Sequence, residues 1–230
     1  MKADYLIIGK GLSGTFLSYY LQKAGKKVLV IDDANPHTAS RVASGVINPV
    51  TGRSVVATWM IEDLLPFCLQ AYKEIGNAIG KNVIEEKNIL AFPPTVQMRE
   101  AYNKRLHEKS IYLKEVNAND FNEYFNYPFG CVEILQVLSA DVQTLLLQYR
   151  QQLIQQDLLV SETFDEDLLH TGNDEVKYKN ITAEKIFYCS GIHTYKSKYW
   201  KNIPYVLNKG EALLVEIPAL PVANIFKFAN

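Results

Sequence analysis

The stretch Ile7-Ile8-Gly9-Lys10-Gly11-Leu12-Ser13-Gly14 restricts this chain more than any other, because three glycines at fixed spacing separate an apolar run from a helical pattern. Tyr5 to Ile8 is a short continuous apolar run of the kind found in a strand covered on both faces. Leu12 to Ala24 carries apolar residues at helical spacing, and Gly25 stands where a C-cap would. Lys27 to Asp32 repeats the buried-strand pattern. Strand, glycine turn, helix and strand make a right-handed βαβ unit with a parallel pair. In a dinucleotide-binding turn each glycine has a task. Gly9 turns tightly out of the strand, Gly11 lets a pyrophosphate approach the backbone, and Gly14 lets the helix pack close to the sheet. The start of the helix, at Leu12 and Ser13, offers N–H groups and a positive dipole end to the phosphates.

The spacing of a carboxylate strengthens this reading. Asp32 ends the second strand, 23 residues beyond Gly9, which is close to the interval expected for a ribose-binding acid. A carboxylate there can accept hydrogen bonds from a ribose diol and repels a 2′-phosphate, which disfavours NADP. Asp33 is the neighbouring candidate, with a solvated turn carboxylate as its other reading. Lys10 either approaches the pyrophosphate or is a solvent-facing loop lysine.

After Asp33 the sequence ANPHTASRVASGVINPVTGR is too long and too polar for an ordinary helix-to-strand connection. The patterns that follow predict a helix from Trp59 to about Gly80, a strand from Asn88 to Phe92 and a polar helix near Gln97 to Lys109. Further on they predict a helix from Asp141 to Gln156 and strands at Leu158–Ser161, Glu175–Tyr178 and Lys185–Tyr188. A last strand is expected from Ala212 to Glu216. The fold class is therefore α/β, a Rossmann-like domain completed by pieces from both sides of an inserted α+β domain. The expected boundaries are 1–50 and 136–200 for the first domain, and 51–135 and 201–230 for the second.

With 230 residues, 48% of them hydrophobic, and a formal net charge of -1, the chain can bury a substantial core. It offers no basic track, so nucleic acid is not an expected partner. No apolar run reaches the length of a membrane span or a signal sequence, and three scattered cysteines argue against a disulfide framework or zinc site. A cytoplasmic setting is the simplest expectation. The histidines have no metal-ligand spacing, and no catalytic triad or carboxylate pair stands at a motif interval.

The loop Ala39-Ser40-Arg41-Val42-Ala43-Ser44-Gly45-Val46-Ile47-Asn48-Pro49 decides among the possible dinucleotides. It resembles the second FAD-contacting segment of the D-amino-acid oxidase-like (DAO) family of flavoproteins, in which small residues let the backbone run beside the pyrophosphate and ribityl chain. Leu138 to Val142 resembles that family's return into the FAD domain. Phe187-Tyr188-Cys189-Ser190-Gly191 resembles the strand end beside the flavin, and Lys209-Gly210-Glu211 resembles the lead-in to a strand of the substrate domain. The segment from Val160 to Phe164 resembles the one whose backbone meets the adenine.

The resemblance implies FAD as cofactor and a first domain that binds it, with the second domain holding a small-molecule amine or amino acid. It implies oxidation of a C–N bond by hydride transfer to flavin N5. The implied cofactor contacts are Gly9, Gly11, Leu12, Ser13, Gly14, Asp32, Asp33, Ser40, Arg41, Ala43, Ser44, Gly45, Phe164, Cys189, Ser190 and Gly191. Arg41 and Arg53 are open to two readings, phosphate or carboxylate binding and a structural ion pair. Complete members of the family continue further, so the apolar run Ile225 to Asn230 is expected to be a strand without its hairpin partner, in a fragment that lacks the catalytic residues. An NAD-dependent dehydrogenase is the alternative, and would require more βα repeats directly after Asp33. A non-catalytic flavin-binding protein is the second.

Overall fold

The structure is a computed structural model that describes residues 1–117, 121–210, 213, 215–218, 220 and 223–228. In chain order its first elements are β1 (Lys2–Ile8), α1 (Leu12–Lys23), β2 (Val28–Ile31), α2 (Ala39–Val42), β3 (Val46–Ile47), β4 (Val50–Thr51), β5 (Val56–Ala57) and α3 (Ile61–Ala78). Then come β6 (Ile84–Glu86), β7 (Ile89–Ala91), α4 (Val96–His107), β8 (Leu113–Glu115), β9 (Val132–Ile134), β10 (Leu138–Ala140) and α5 (Val142–Gln155). Last are β11 (Leu159–Val160), β12 (Leu169–Thr171), β13 (Val176–Tyr178), β14 (Ile181–Tyr188) and β15 (Ile225–Lys227). They form two compact units, one of Met1–Ser44, Ile75–Lys81 and Val142–Leu213, the other of Gly45–Glu74, Asn82–Asp141 and Leu214–Asn230.

The first unit is built on a six-stranded sheet in the order β11-β2-β1-β14-β13-β12. β1 lies between two parallel neighbours, with Ile7 opposite Val30 on one side and Phe187 on the other. Because β11, β2, β1 and β14 run the same way, their carboxyl ends reach the same edge of the sheet. Val28 to Ile31 are all buried, as a strand covered on both faces requires. α1 closes on Gly25, whose φ of +74° lets its N–H reach Gln22 O while Lys26 N–H reaches Leu21 O. On α5 the buried residues Val142, Leu145, Leu146, Tyr149 and Leu153 recur at helical spacing. The Tyr149 hydroxyl meets Ser18 Oγ at 3.1 Å and accepts from Gln22 Nε2 at 2.8 Å, which fixes α5 against α1.

The second unit holds a four-stranded sheet in the order β15-β7-β9-β8, a three-stranded sheet β3-β10-β6 and the β4-β5 hairpin. Val132 and Ile134 are fully buried and pack with Met98, Tyr102 and Leu113. A separate aromatic cluster centres on Phe92, which stacks on Phe228 at 4.6 Å and touches Tyr127 at 4.8 Å between ring centroids.

The long strands and helices fall within a few residues of their expected positions. Three differences have physical causes. β6, β8, β9, β10 and β12 are short and several carry charged residues, as in Ile84-Glu85-Glu86 and Leu113-Lys114-Glu115, so no apolar run announces them. The loop after Asp33 is not wholly irregular: at Gly45 φ is +76° and a Cβ would stand 1.9 Å from Ala140 O, so glycine is what lets this segment lie against β10. The C-terminal run, expected to lack a hairpin partner, forms β15 at the edge of its sheet and pairs on one side only, in parallel with β7. The strand expected from Ala212 to Glu216, with Glu211 before it, falls partly on Glu211, Ala212 and Leu214, which lie outside the described residues. Among the described residues no helix is long and apolar enough to cross a membrane, and no group of three or more His, Cys, Asp or Glu could hold a metal ion.

Candidate functional site

A cavity of about 490 Å³ opens in the first unit at the carboxyl ends of β1, β2 and β14. That is where open parallel sheets bind their ligands. Its floor is the turn between β1 and α1. Gly9 has φ +92°, and a Cβ there would come within 2.5 Å of Cys189 O; a Cβ on Gly14 would stand 1.9 Å from Gly9 O. The close packing of β1, β14 and α1 thus depends on these two glycines. At Gly11 the neighbour is a side chain, since a Cβ would come 2.9 Å from Ser40 Oγ. The same Ser40 hydroxyl accepts from the Leu12 N–H at 3.1 Å, so it caps the first turn of α1 and brings the α2 segment beside the glycine turn.

The wall at the end of β2 is set by Asp32. Its Oδ2 accepts from the Lys10 N–H at 2.9 Å, and its Oδ1 accepts from the Ala34 N–H at 3.0 Å, from Arg41 at 3.2 Å and from Arg150 at 2.7 Å. Arg41 also donates to Ala34 O at 2.8 Å. Beside it Asp33 is exposed, and accepts from the Asn35 N–H at 3.0 Å and from Thr163 Oγ1 at 3.2 Å.

Lys10 is not the solvent-facing loop lysine of one sequence reading. It is fully buried beside the cavity that it helps to line, and its ammonium group donates to Leu146 O on α5 at 2.6 Å. Burial pushes its pKa down from 10.5 to about 7; the Asp32 charge opposes this shift and the Arg41 and Arg150 charges add to it. Burial also raises the pKa of the Cys189 thiol.

Of the residues expected at a cofactor, the cavity brings together Gly9, Gly11, Leu12 and Ser13 from the turn, Asp32 and Asp33 from the end of β2, and Ser40 and Arg41 from α2. Phe164 and the Cys189-Ser190-Gly191 segment complete the opposite side. Gly14, Ala43, Ser44 and Gly45 are not in its wall: Gly14 is packed under the turn, and Gly45 is packed on Ala140. Arg53 is exposed in the second unit and does not line the cavity.

Sequence reasoning missed Thr38, Glu162 and Arg150. Thr38 and Glu162 line the cavity, and Glu162 is paired with Lys179 at 2.7 Å. Thr38 Oγ1 is buried and has no hydrogen-bond partner among the described residues. An orphaned hydroxyl in the wall, a glycine turn at a helix start and guanidinium groups beside a carboxylate are the donor set that a dinucleotide fits.

Residues 4–129 match the family described as FAD dependent oxidoreductase (DAO). Solved structures with a similar fold include a glycine oxidase from Geobacillus kaustophilus, at a TM-score of 0.64 and 15% identity, with 83% of this chain and 55% of that one covered. An L-amino acid deaminase from Proteus myxofaciens, solved in complex with anthranilate, superimposes with a TM-score of 0.64 at 13% identity over 84% of this chain and 46% of that one. NikD, an unusual amino acid oxidase essential for nikkomycin biosynthesis, does so at 0.59 and 18% over 84% and 52%. The chain spans about half the length of these solved structures.

Proposed function

The chain belongs to the DAO family of FAD-dependent oxidoreductases, and from that premise we propose that it binds FAD and takes part in oxidising a C–N bond of an amino acid or secondary amine. The observation that carries this reading is the cavity at the carboxyl ends of β1, β2 and β14, where the glycine turn and Asp32 share one wall. When bound, FAD supplies the hydride acceptor at flavin N5. The chain's own residues bind and orient. The backbone at Gly9, Gly11, Leu12 and Ser13 receives the pyrophosphate at the positive end of α1. Asp32 accepts from the ribose, and the Arg41 guanidinium adds positive charge beside the phosphates. Ser40 holds the first turn of α1 through Leu12, and Phe164 with Ser190 and Gly191 closes the other side. The first unit is the cofactor domain in this reading, and the second faces substrate.

The visible spectrum of the purified protein tests the proposal, followed by anaerobic addition of glycine, sarcosine and a panel of D- and L-amino acids. Flavin absorption that bleaches with one of these amines is the expected result. A colourless protein that takes up no added FAD would refute the cofactor, and a flavin spectrum that no amine bleaches would refute the reaction.

A further inference from the structure

We propose that Arg150, a residue of α5 outside every sequence motif of the site, is the positioning residue for the ribose end of the dinucleotide, acting through Asp32. The inference rests on the FAD reading above and adds a residue to it. Asp32 has about four lone-pair positions, two on each oxygen. Oδ1 already receives three donors, the Ala34 N–H, Arg41 and Arg150, whereas Oδ2 receives only the Lys10 N–H. Oδ2 is therefore the oxygen with a place left for a ribose hydroxyl.

Which way Oδ2 points depends on what holds Oδ1. The Ala34 N–H is a local turn contact two residues away. Of the two guanidinium groups, Arg41 is the more exposed, 22% against 14%, and the more distant, 3.2 Å against 2.7 Å. Arg150 is also anchored elsewhere: its second nitrogen donates to Ser161 Oγ at 2.8 Å and to Asp32 O at 3.5 Å. One fork thus holds the carboxylate, the backbone at the end of β2 and the residue after β11. One turn earlier on the same helix, Leu146 O receives Lys10, whose N–H is the donor on Oδ2. α5 therefore reaches both oxygens of Asp32, Oδ1 directly and Oδ2 through Lys10. Arg41 is the donor that a ligand can displace, and Arg150 the one that stays.

The test measures FAD and FMN dissociation constants for the flavin-stripped protein and for Arg150→Met, Arg150→Lys, Asp32→Asn and the Asp32→Asn/Arg150→Met pair. FMN lacks the adenosine that Asp32 serves. Arg150→Met should bind FAD roughly tenfold more weakly or worse, with FMN affinity unchanged. The double variant should lose no more than Asp32→Asn alone, because the two act in series. Arg150→Lys can pair with Oδ1 but cannot span to Ser161, so it should fall between wild type and Arg150→Met; this variant keeps the test decisive if Arg150→Met does not fold. Wild-type FAD affinity in either single Arg150 variant, an equal loss on FMN, or losses that multiply in the double variant would each overturn the role. Failure of the wild-type protein itself to bind FAD would instead overturn the underlying cofactor reading, and the inference with it.

Discussion

Replacing Lys10 with methionine probes a feature that a dinucleotide turn does not need. The lysine is fully buried, and its charged end is satisfied by a single carbonyl, Leu146 O at 2.6 Å. Its pKa falls from 10.5 to about 7. At about 1.36 kcal/mol per pH unit, that displacement corresponds to about 5 kcal/mol of preference for the neutral amine in the folded state. Below about pH 7 both folded and unfolded chains carry the proton, and the folded state bears the whole cost of burying it. Between about 7 and 10.5 the unfolded chain holds roughly one proton more than the folded one, so stability rises with pH at about 1.4 kcal/mol per unit.

Lys10→Met removes this titration and nothing else that ionises. Urea unfolding of both proteins across a pH series isolates it, since Asp32, Arg41 and Arg150, the charged groups around Lys10, remain in each. The stability of wild type minus that of Lys10→Met should climb by about 2 kcal/mol from roughly pH 8 to 9.5 and level off below pH 6.5. The variant also loses the Lys10–Leu146 hydrogen bond, an offset of about 0.5–1.5 kcal/mol that does not vary with pH, since Leu146 O lies inside α5 and keeps its helical N–H partner. A difference that stays flat over the whole range would mean that Lys10 keeps its ordinary pKa, and would refute the claim that its buried position controls its charge.

Asp32→Asn keeps the shape of the ribose acceptor but not its charge. It should weaken FAD retention by about 1.5–3 kcal/mol in a fluorescence titration, and unchanged affinity would count against the assigned role. Gly14→Ala places a carbon 1.9 Å from Gly9 O, which is backbone, so α1 must move off the sheet. A destabilisation of about 1–3 kcal/mol is expected, with a larger loss of FAD binding than of stability, and a variant that binds as wild type would disprove the packing argument. Leu153→Ala empties a fully buried position on α5 and should cost about 2–5 kcal/mol in urea unfolding; a change below 1 kcal/mol would show that the site collapses around the cavity.

The parts of the site legible in the sequence were those whose function is carried by backbone shape. Gly9, Gly11 and Gly14 stand at a recognisable interval because a turn of this geometry tolerates no Cβ at Gly9 or Gly14. Asp32 was legible because strand and helix lengths restrict its distance from Gly9. What stayed hidden was side-chain traffic between distant segments. Lys10 reads as a loop lysine because nothing local tells that Leu146, 136 residues later, offers a carbonyl. Arg150 gave a faint signal: it lies beside Tyr149 and one turn after Leu146, at the edge of the buried face of α5, where a charged group needs a partner. Its partner could not be named from spacing, since the two residues lie 118 positions apart. Thr38 looked like an ordinary loop residue, and only the burial of its hydroxyl singles it out.

The site draws on four separated stretches, at residues 8–13, 31–41, 162–166 and 188–197, and sheet direction explains why they converge. Each of the first, second and fourth begins where a parallel strand ends, and the third follows β11, which is parallel to β2. An antiparallel neighbour in place of β14 would deliver an amino end to this edge and take Cys189 and Ser190 to the far side of the sheet. Register matters as much as direction. With Ile8 opposite Tyr188, the Cys189 N–H donates to Ile8 O at 2.7 Å and Gly9 lies under Cys189 O. A slip of one residue would exchange the faces of β14 and set a side chain where the glycine turn needs room. Residues 45–74 and 82–141 belong to the other unit, and the chain passes between the units in connections at 44/45, 81/82 and 141/142 and within α3 at 74/75, never through a parallel strand. That is how a long insertion can separate Arg41 from Arg150 in sequence while both still reach one oxygen of Asp32.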